Sequence, residues 1–136
     1  MFFSIVIPTY NRLPILQKAL RALENQTFDP QIVTGYETIV VDDGSTDGTI
    51  EWLNSNMAEL PHLNIYEQAH KGASAARHLG VERAQGDTII FIDSDIVVTP
   101  TFLQSHADAL VREQQALGND QVFTYGAVIN TANFEE

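Results

Sequence analysis

An alternation constrains the fold of this chain more than any other feature of its sequence. Short β-rich apolar runs are separated by stretches whose apolar residues recur at helical spacing. Phe3 to Ile7 is the first run, and Pro8 is expected to close it. Leu13, Leu16, Leu20 and Leu23 then form a helical stripe, with Pro14 in its early turn and Asn11 as the expected cap. Thr27 to Gly35 reads as a loop, and Thr38 to Val41 as a second strand. Ile50, Leu53 and Met57 predict the inner stripe of a helix capped by Ser45 or Thr46 and broken at Pro61. Leu63 to Tyr66 is a weaker strand, and Ala73 to Ala84 a helix of small residues. Gly86-Asp87 turns the chain into Thr88–Ile96, and Thr99-Pro100 opens a last helix ended by Gly118. Val122 to Ile129 is again strand-like. Strand and helix alternating in this way predict one α/β domain over residues 1–136. Its sheet should be mainly parallel, with helices on both faces.

The run Thr88–Ile96, TIIFIDSDI, adds chemistry to that frame. Its four apolar residues Ile89 to Ile92 predict a central strand covered on both faces. Asp93-Ser94-Asp95 follows at once, and carboxylates resist burial, so packing does not explain them. In a parallel sheet the strand ends after Ile7, Val41 and Ile92 share one edge. Three polar clusters fall there: Pro8-Thr9-Tyr10-Asn11, Asp42-Asp43-Gly44-Ser45 and Asp93-Ser94-Asp95. Each has a plain reading by itself, as a turn, a helix cap or a weak Asp-x-Asp match. Together on one edge they point to a ligand site, and the paired acids to a hard divalent cation.

Composition narrows the partners. A net charge of −11 argues against a nucleic-acid backbone as ligand. Only seven Lys and Arg are available to a phosphate, so a cation would supply the missing charge. The absence of cysteine excludes disulfides, thiolate metal sites and Cys nucleophiles, and fits a reducing compartment. The first residues, MFFSIVIPTYNR, lack the basic start and long apolar run of a signal peptide. The expected location is the cytoplasm, or the inner face of the membrane for a full-length protein. The chain is expected to be part of a longer one, because Phe134-Glu135-Glu136 makes no obvious stop.

Four motifs, SIVIPTYNR at 4–12, IVVDDGSTDGT at 39–49, KGASAARHLGVERAQGD at 71–87 and FIDSDI at 91–96, together carry a resemblance. The chain resembles the N-terminal half of a family 2 glycosyltransferase with the GT-A fold, a Rossmann-like nucleotide-diphospho-sugar transferase architecture. The resemblance spans nearly the whole chain. It implies a site for a nucleotide-diphosphate sugar, most often a UDP-sugar. It places Pro8, Thr9 and Tyr10 along the base, Asp43 at the uracil edge and Arg77 near the nucleotide. It gives the Asp-x-Asp element to ribose and metal, with Asp93 on the ribose side, Asp95 as the direct ligand of Mn²⁺ or Mg²⁺, and Ser94 as a spacer between them. His78 departs from the Asn frequent at its position in the family.

Elementary chemistry agrees with these roles. A Tyr ring stacks on a flat base, and a carboxylate accepts a hydrogen from a ring N–H. Packing is an equal reading of Tyr10, and an ion pair with a neighbouring acid is the other reading of Arg77. Asp42 and Asp47 read as turn and capping residues, and Lys71 as a solvated loop residue. His62, His70, His78 and His106 lack metal-ligand spacing and receive no catalytic role. Transfer to a saccharide or other hydroxyl acceptor needs a general base, and no candidate for it stands out in 1–136. The resemblance implies inversion, and the fragment by itself is expected to be inactive. A non-catalytic nucleotide-sugar-binding module is the alternative. A phosphoreceiver domain fits poorly, because the only lysines are Lys18 and Lys71 and the acid pair follows the second strand.

Overall fold

A computed structural model describes residues 1–118 of the chain. Four strands form one sheet: β1 (Phe2–Thr9), β2 (Gly35–Asp42), β3 (Leu63–Glu67) and β4 (Thr88–Phe91). Their spatial order is β3-β2-β1-β4, and every pairing is parallel. The connections carry helices α1 (Leu13–Glu24), α2 (Thr49–Ser55) and α3 (Ala73–Arg83), and α4 (Phe102–Leu117) follows β4. No helix among the described residues is long and apolar enough to cross a membrane.

The two faces of the sheet are covered unequally. Phe3, Ile5, Ile7, Tyr36, Val40 and Ile90 pack with Leu16, Leu20 and Leu23 of α1, Leu53 of α2, and Leu103, Ala107 and Leu110 of α4. The opposite face is smaller: Ile39 and Val41 of β2 meet Ala76 of α3, with Leu79 of the same helix alongside. That helix lies close because Gly80 has no side chain. A Cβ there would stand 2.3 Å from Cγ1 of Val6. Alternation along the strands sends successive residues to these two layers.

Several sequence expectations need correction. Pro8 does not close β1, which continues to Thr9 in register with Asp42. A proline fits here because Val6, two residues earlier, makes its last bond on the β4 side, accepting from the Ile92 N–H at 3.1 Å. Strand β4 ends at Phe91, so its pairing with β1 does not reach Pro8 and no ladder bond needs the N–H that Pro8 lacks. Strand β4 is the edge of the described sheet rather than a covered central strand, and Phe91 is 51% exposed. Met57 lies outside the α2 stripe, in a short 3₁₀ turn (Met57–Glu59), and is exposed.

Asn11 does not cap α1. It adopts a left-handed backbone (φ 50°), which Asn tolerates better than most residues. Neither Ser45 nor Thr46 caps α2. Asp47 serves both helices: Oδ2 accepts from the Leu13 N–H at 3.1 Å, and Oδ1 from the Thr49 N–H at 3.2 Å. The strand expected over 122–129 lies outside the described residues.

Candidate active site

The parallel register brings the ends of β1, β2 and β4 to one edge, as the alternation predicts. The loops after β1 and β2 are fixed to each other there. Asn11 N–H donates to Ser45 Oγ at 2.8 Å, and Thr46 N–H to Asn11 Oδ1 at 2.7 Å. With the Asp47 cap these bonds hold the first two loops as one unit, which gives Tyr10 a defined position. Its ring is 43% exposed at the rim. Pro8 and Thr9 lie behind it, buried in β1. They set the position of Tyr10 and present no side chain at the surface. Among the described residues, Thr9 Oγ1 and Oδ1 of its register partner Asp42 are buried without a hydrogen-bond partner.

Asp43 is the hub of the edge, and only 4% exposed. Its Oδ1 accepts from the Lys71 N–H at 2.7 Å and from Gln68 Nε2 at 2.9 Å. Oδ2 accepts from the Gly72 N–H at 3.0 Å, and His70 Nδ1 lies 3.1 Å from the same oxygen. Burial pushes the Asp43 pKa up. The Lys71 N–H, the Gln68 amide, the Gly72 N–H and the neighbouring His70 outweigh it and hold the carboxyl below its ordinary range. The backbone N–H groups ahead of α3, a ready anion site, are therefore engaged by a carboxylate of the chain itself.

The third cluster completes the edge. Ser94 is buried, while Asp93 and Asp95 on either side of it are exposed. Each acid meets an arginine. Arg77 Nη2, from α3, lies 3.1 Å from Asp93 Oδ1, and Arg12 Nη1, from the first loop, lies 3.3 Å from Asp95 Oδ2. Both pairs are solvent-accessible, so each adds little to stability and is readily exchanged for another partner.

Tyr10, Asp43, Arg77, Asp93 and Asp95 are thus gathered at one edge, with Pro8, Thr9 and Ser94 supporting them from below. The sequence reading missed Arg12 and His70. Arg12 was legible, as the residue after Tyr10-Asn11 in a loop already placed at the edge. His70 carried no signal of its own, because its position depends on the fold of 68–72 around Asp43. Among the described residues no three His, Cys, Asp or Glu side chains gather to hold a metal. The paired acids nonetheless suit a divalent ion that keeps water and takes phosphate oxygens, a mode that needs only one or two protein carboxylates.

Comparison with known proteins accords with this geometry. The model of the family "Glycosyl transferase family 2" matches residues 4–131. An uncharacterized glycosyltransferase, YibD, of Escherichia coli (strain K12) is 35% identical over 102 residues, 75% of this chain and 28% of that protein. The glycosyltransferase AglE of Haloferax volcanii is 38% identical over 95 residues, 69% of this chain and 30% of that protein. The chain thus spans less than a third of the length of either relative. Among solved structures, S. aureus TarS 1-349 in complex with UDP-GlcNAc superposes with a TM-score of 0.70 at 29% identity, covering 85% of this chain and 32% of that one. The mannosyltransferase PcManGT from Pyrobaculum calidifontis, in complex with GDP-Man and Mn²⁺, gives a TM-score of 0.65 at 25% identity, over 74% of this chain and 30% of that one. With three polar clusters and Arg77 at one sheet edge and a family model spanning nearly all of its length, this chain belongs to glycosyl transferase family 2.

Proposed function

We propose that this chain is a donor-binding domain for a UDP-sugar in a transferase that moves the sugar to a hydroxyl of a saccharide or other acceptor. The observation that carries the reading is the gathering of Tyr10, Asp43, Arg77, Asp93 and Asp95 at one end of a parallel sheet. Open α/β sheets bind ligands at that end. TarS, solved with UDP-GlcNAc, supports the uridine nucleotide. PcManGT, solved with GDP-Man and Mn²⁺, supports the metal and makes guanosine the nucleotide to test against.

In this reading Tyr10 offers its face to the base, and Asp43 accepts from a base N–H on the side where His70 now lies. Asp93 turns to the ribose and metal. Asp95, with Asp93, would hold Mn²⁺ or Mg²⁺. A divalent cation there supplies Lewis-acid stabilisation of the departing nucleoside diphosphate. Arg77 and Arg12 are the cations of the chain itself. Released from Asp93 and Asp95, their N–H groups can donate to phosphate oxygens, a geometry that suits guanidinium.

Attack by the acceptor hydroxyl would proceed with inversion and requires a general base. None of the described acids at the edge is offered as that base: Asp42 and Asp43 are buried, Asp47 caps α1 and α2, and Asp93 and Asp95 face the donor. The chain by itself is therefore proposed to hold the donor without turning it over. It is proposed to work in the cytoplasm or at the inner face of the membrane. A titration with UDP, GDP and ADP, each with and without Mn²⁺, tests the reading. The expected result is metal-dependent binding with UDP tightest. Metal-independent binding, or preference for ADP, would contradict it.

A further inference from the structure

His70 lies in the connection between β3 and α3, and no step of the proposed chemistry uses it. Its ring centroid is 4.4 Å from that of Tyr10, with the planes tilted by 34°. Its Nδ1 is 3.1 Å from Oδ2 of Asp43 and 3.1 Å from the Asp43 carbonyl oxygen. A flat ring thus lies on Tyr10 and presents a nitrogen to the Asp43 carboxylate. A pyrimidine base with a ring N–H would make the same two contacts in the proposed site. The outer side of His70 is open to solvent, with 63% of the side chain exposed.

We infer that His70 occupies the place of the nucleotide base when no nucleotide is bound, and that it must swing out before a base can meet Tyr10 and Asp43 together. The inference rests on the nucleotide-binding reading above. The motion is a side-chain rotation. The backbone around it stays anchored, because Lys71 and Gly72 donate to Asp43 through their N–H groups and Gln68 through its side chain. Exposed side chains change rotamer in picoseconds to nanoseconds, so the gate limits affinity rather than rate. Apparent affinity falls by the fraction of molecules in which the slot is open. Occupation by His70 therefore weakens every base by the same factor. Among bases, a uracil ring replaces both the stack and the N–H donor that His70 gives up.

Calorimetric titration of UDP, with Mn²⁺ present, into the wild-type chain, His70→Ala and His70→Phe tests this. His70→Ala empties the slot and should bind roughly three- to ten-fold more tightly than wild type. His70→Phe keeps the stack but loses the nitrogen, and should fall between the two. In wild type, the His70 ring proton resonances should shift on nucleotide addition as the ring leaves the face of Tyr10. Equal affinities, or weaker binding by His70→Ala, would overturn the inference while leaving the nucleotide reading in place. Weaker binding would mean that His70 holds the bound base. Absence of binding by all three proteins would overturn the nucleotide reading and the inference with it.

Discussion

Of the three buried carboxylates on β2 and at its end, Glu37 and Asp43 invite comparison, because they differ in one donor. Glu37 lies near the start of the strand and Asp43 just beyond its end, both on the α3 side. Each accepts from backbone far along the chain. Oε1 of Glu37 takes the Gln85 N–H at 2.7 Å and the Ser4 hydroxyl at 2.7 Å, and Oε2 takes the Asn64 amide at 2.9 Å. Ser4 Oγ in turn accepts from the Gly86 N–H at 2.8 Å. Those donors belong to strands and to the turn into β4, so the joint is a structural one. Asp43 has a similar set of backbone and amide donors, but its last neighbour is an exposed imidazole. A buried carboxylate whose donors are all built in is a joint; one with an exchangeable neighbour has room for a ligand. In the proposed reading, the sheet edge that takes the donor is the one where a side chain can leave.

The comparison breaks most visibly at Glu37. Glu37→Ala strands the Gln85 N–H, the Ser4 hydroxyl and the Asn64 amide, and should cost about 3 kcal/mol of stability in urea unfolding. Nucleotide affinity of the folded protein should stay unchanged; a parallel loss of affinity would mean that the two ends are not separate. Asp43→Ala should cost less stability, about 2 kcal/mol, because two of the donors it leaves behind, the Lys71 and Gly72 N–H groups, lie on residues that solvent reaches. It should nevertheless lower UDP affinity at least about ten-fold, or about 1.4 kcal/mol.

Asp47→Ala removes a cap shared by α1 and α2, and should cost about 1 kcal/mol. It also has an acid signature. Burial pushes the Asp47 pKa up, but the bonds from Thr49 and from the Leu13 N–H outweigh it and hold the carboxyl below the ordinary value of 3.8. Asp43 is lowered likewise. An unfolded chain therefore binds these protons first as pH falls. The stability from both groups is complete above the ordinary carboxylate value and is lost as pH drops through their lowered ones. Thermal unfolding of Asp47→Ala and Asp43→Ala from pH 6 to pH 2 should show a shallower acid decline than wild type.

The fold was largely legible in the sequence, because period and order carry it. Leu16, Leu20 and Leu23 announced α1, and the alternation of elements implied parallel pairing. Local caps were not legible. Asn11 looks like the cap of α1 from sequence, yet Asp47 reaches it from the next loop, a tertiary contact that no local pattern encodes. Pro8 misled for a similar reason: whether proline ends a strand depends on where the neighbouring strand stops. Ile89 to Ile92 suggested a covered centre, whereas Phe91 lies at the described edge with half its surface open. At the site, the acids were legible as residue types in excess of what packing needs. Of their present partners, Arg77 was legible, and its pairing with a neighbouring acid was one of its two readings. Arg12 was legible only by its place in the first loop, and His70 was not, because its contact with Asp43 follows from geometry after folding.

The central claim is that this edge holds a nucleoside diphosphate through a metal on the Asp93–Asp95 pair. The most direct measurement is the UDP affinity of wild type and Asp95→Asn, each with Mn²⁺ and with chelator. The account predicts that chelator weakens wild-type binding at least about ten-fold, and that Asp95→Asn binds weakly in both conditions. Tight UDP binding by Asp95→Asn, or wild-type affinity unchanged by chelator, would contradict it.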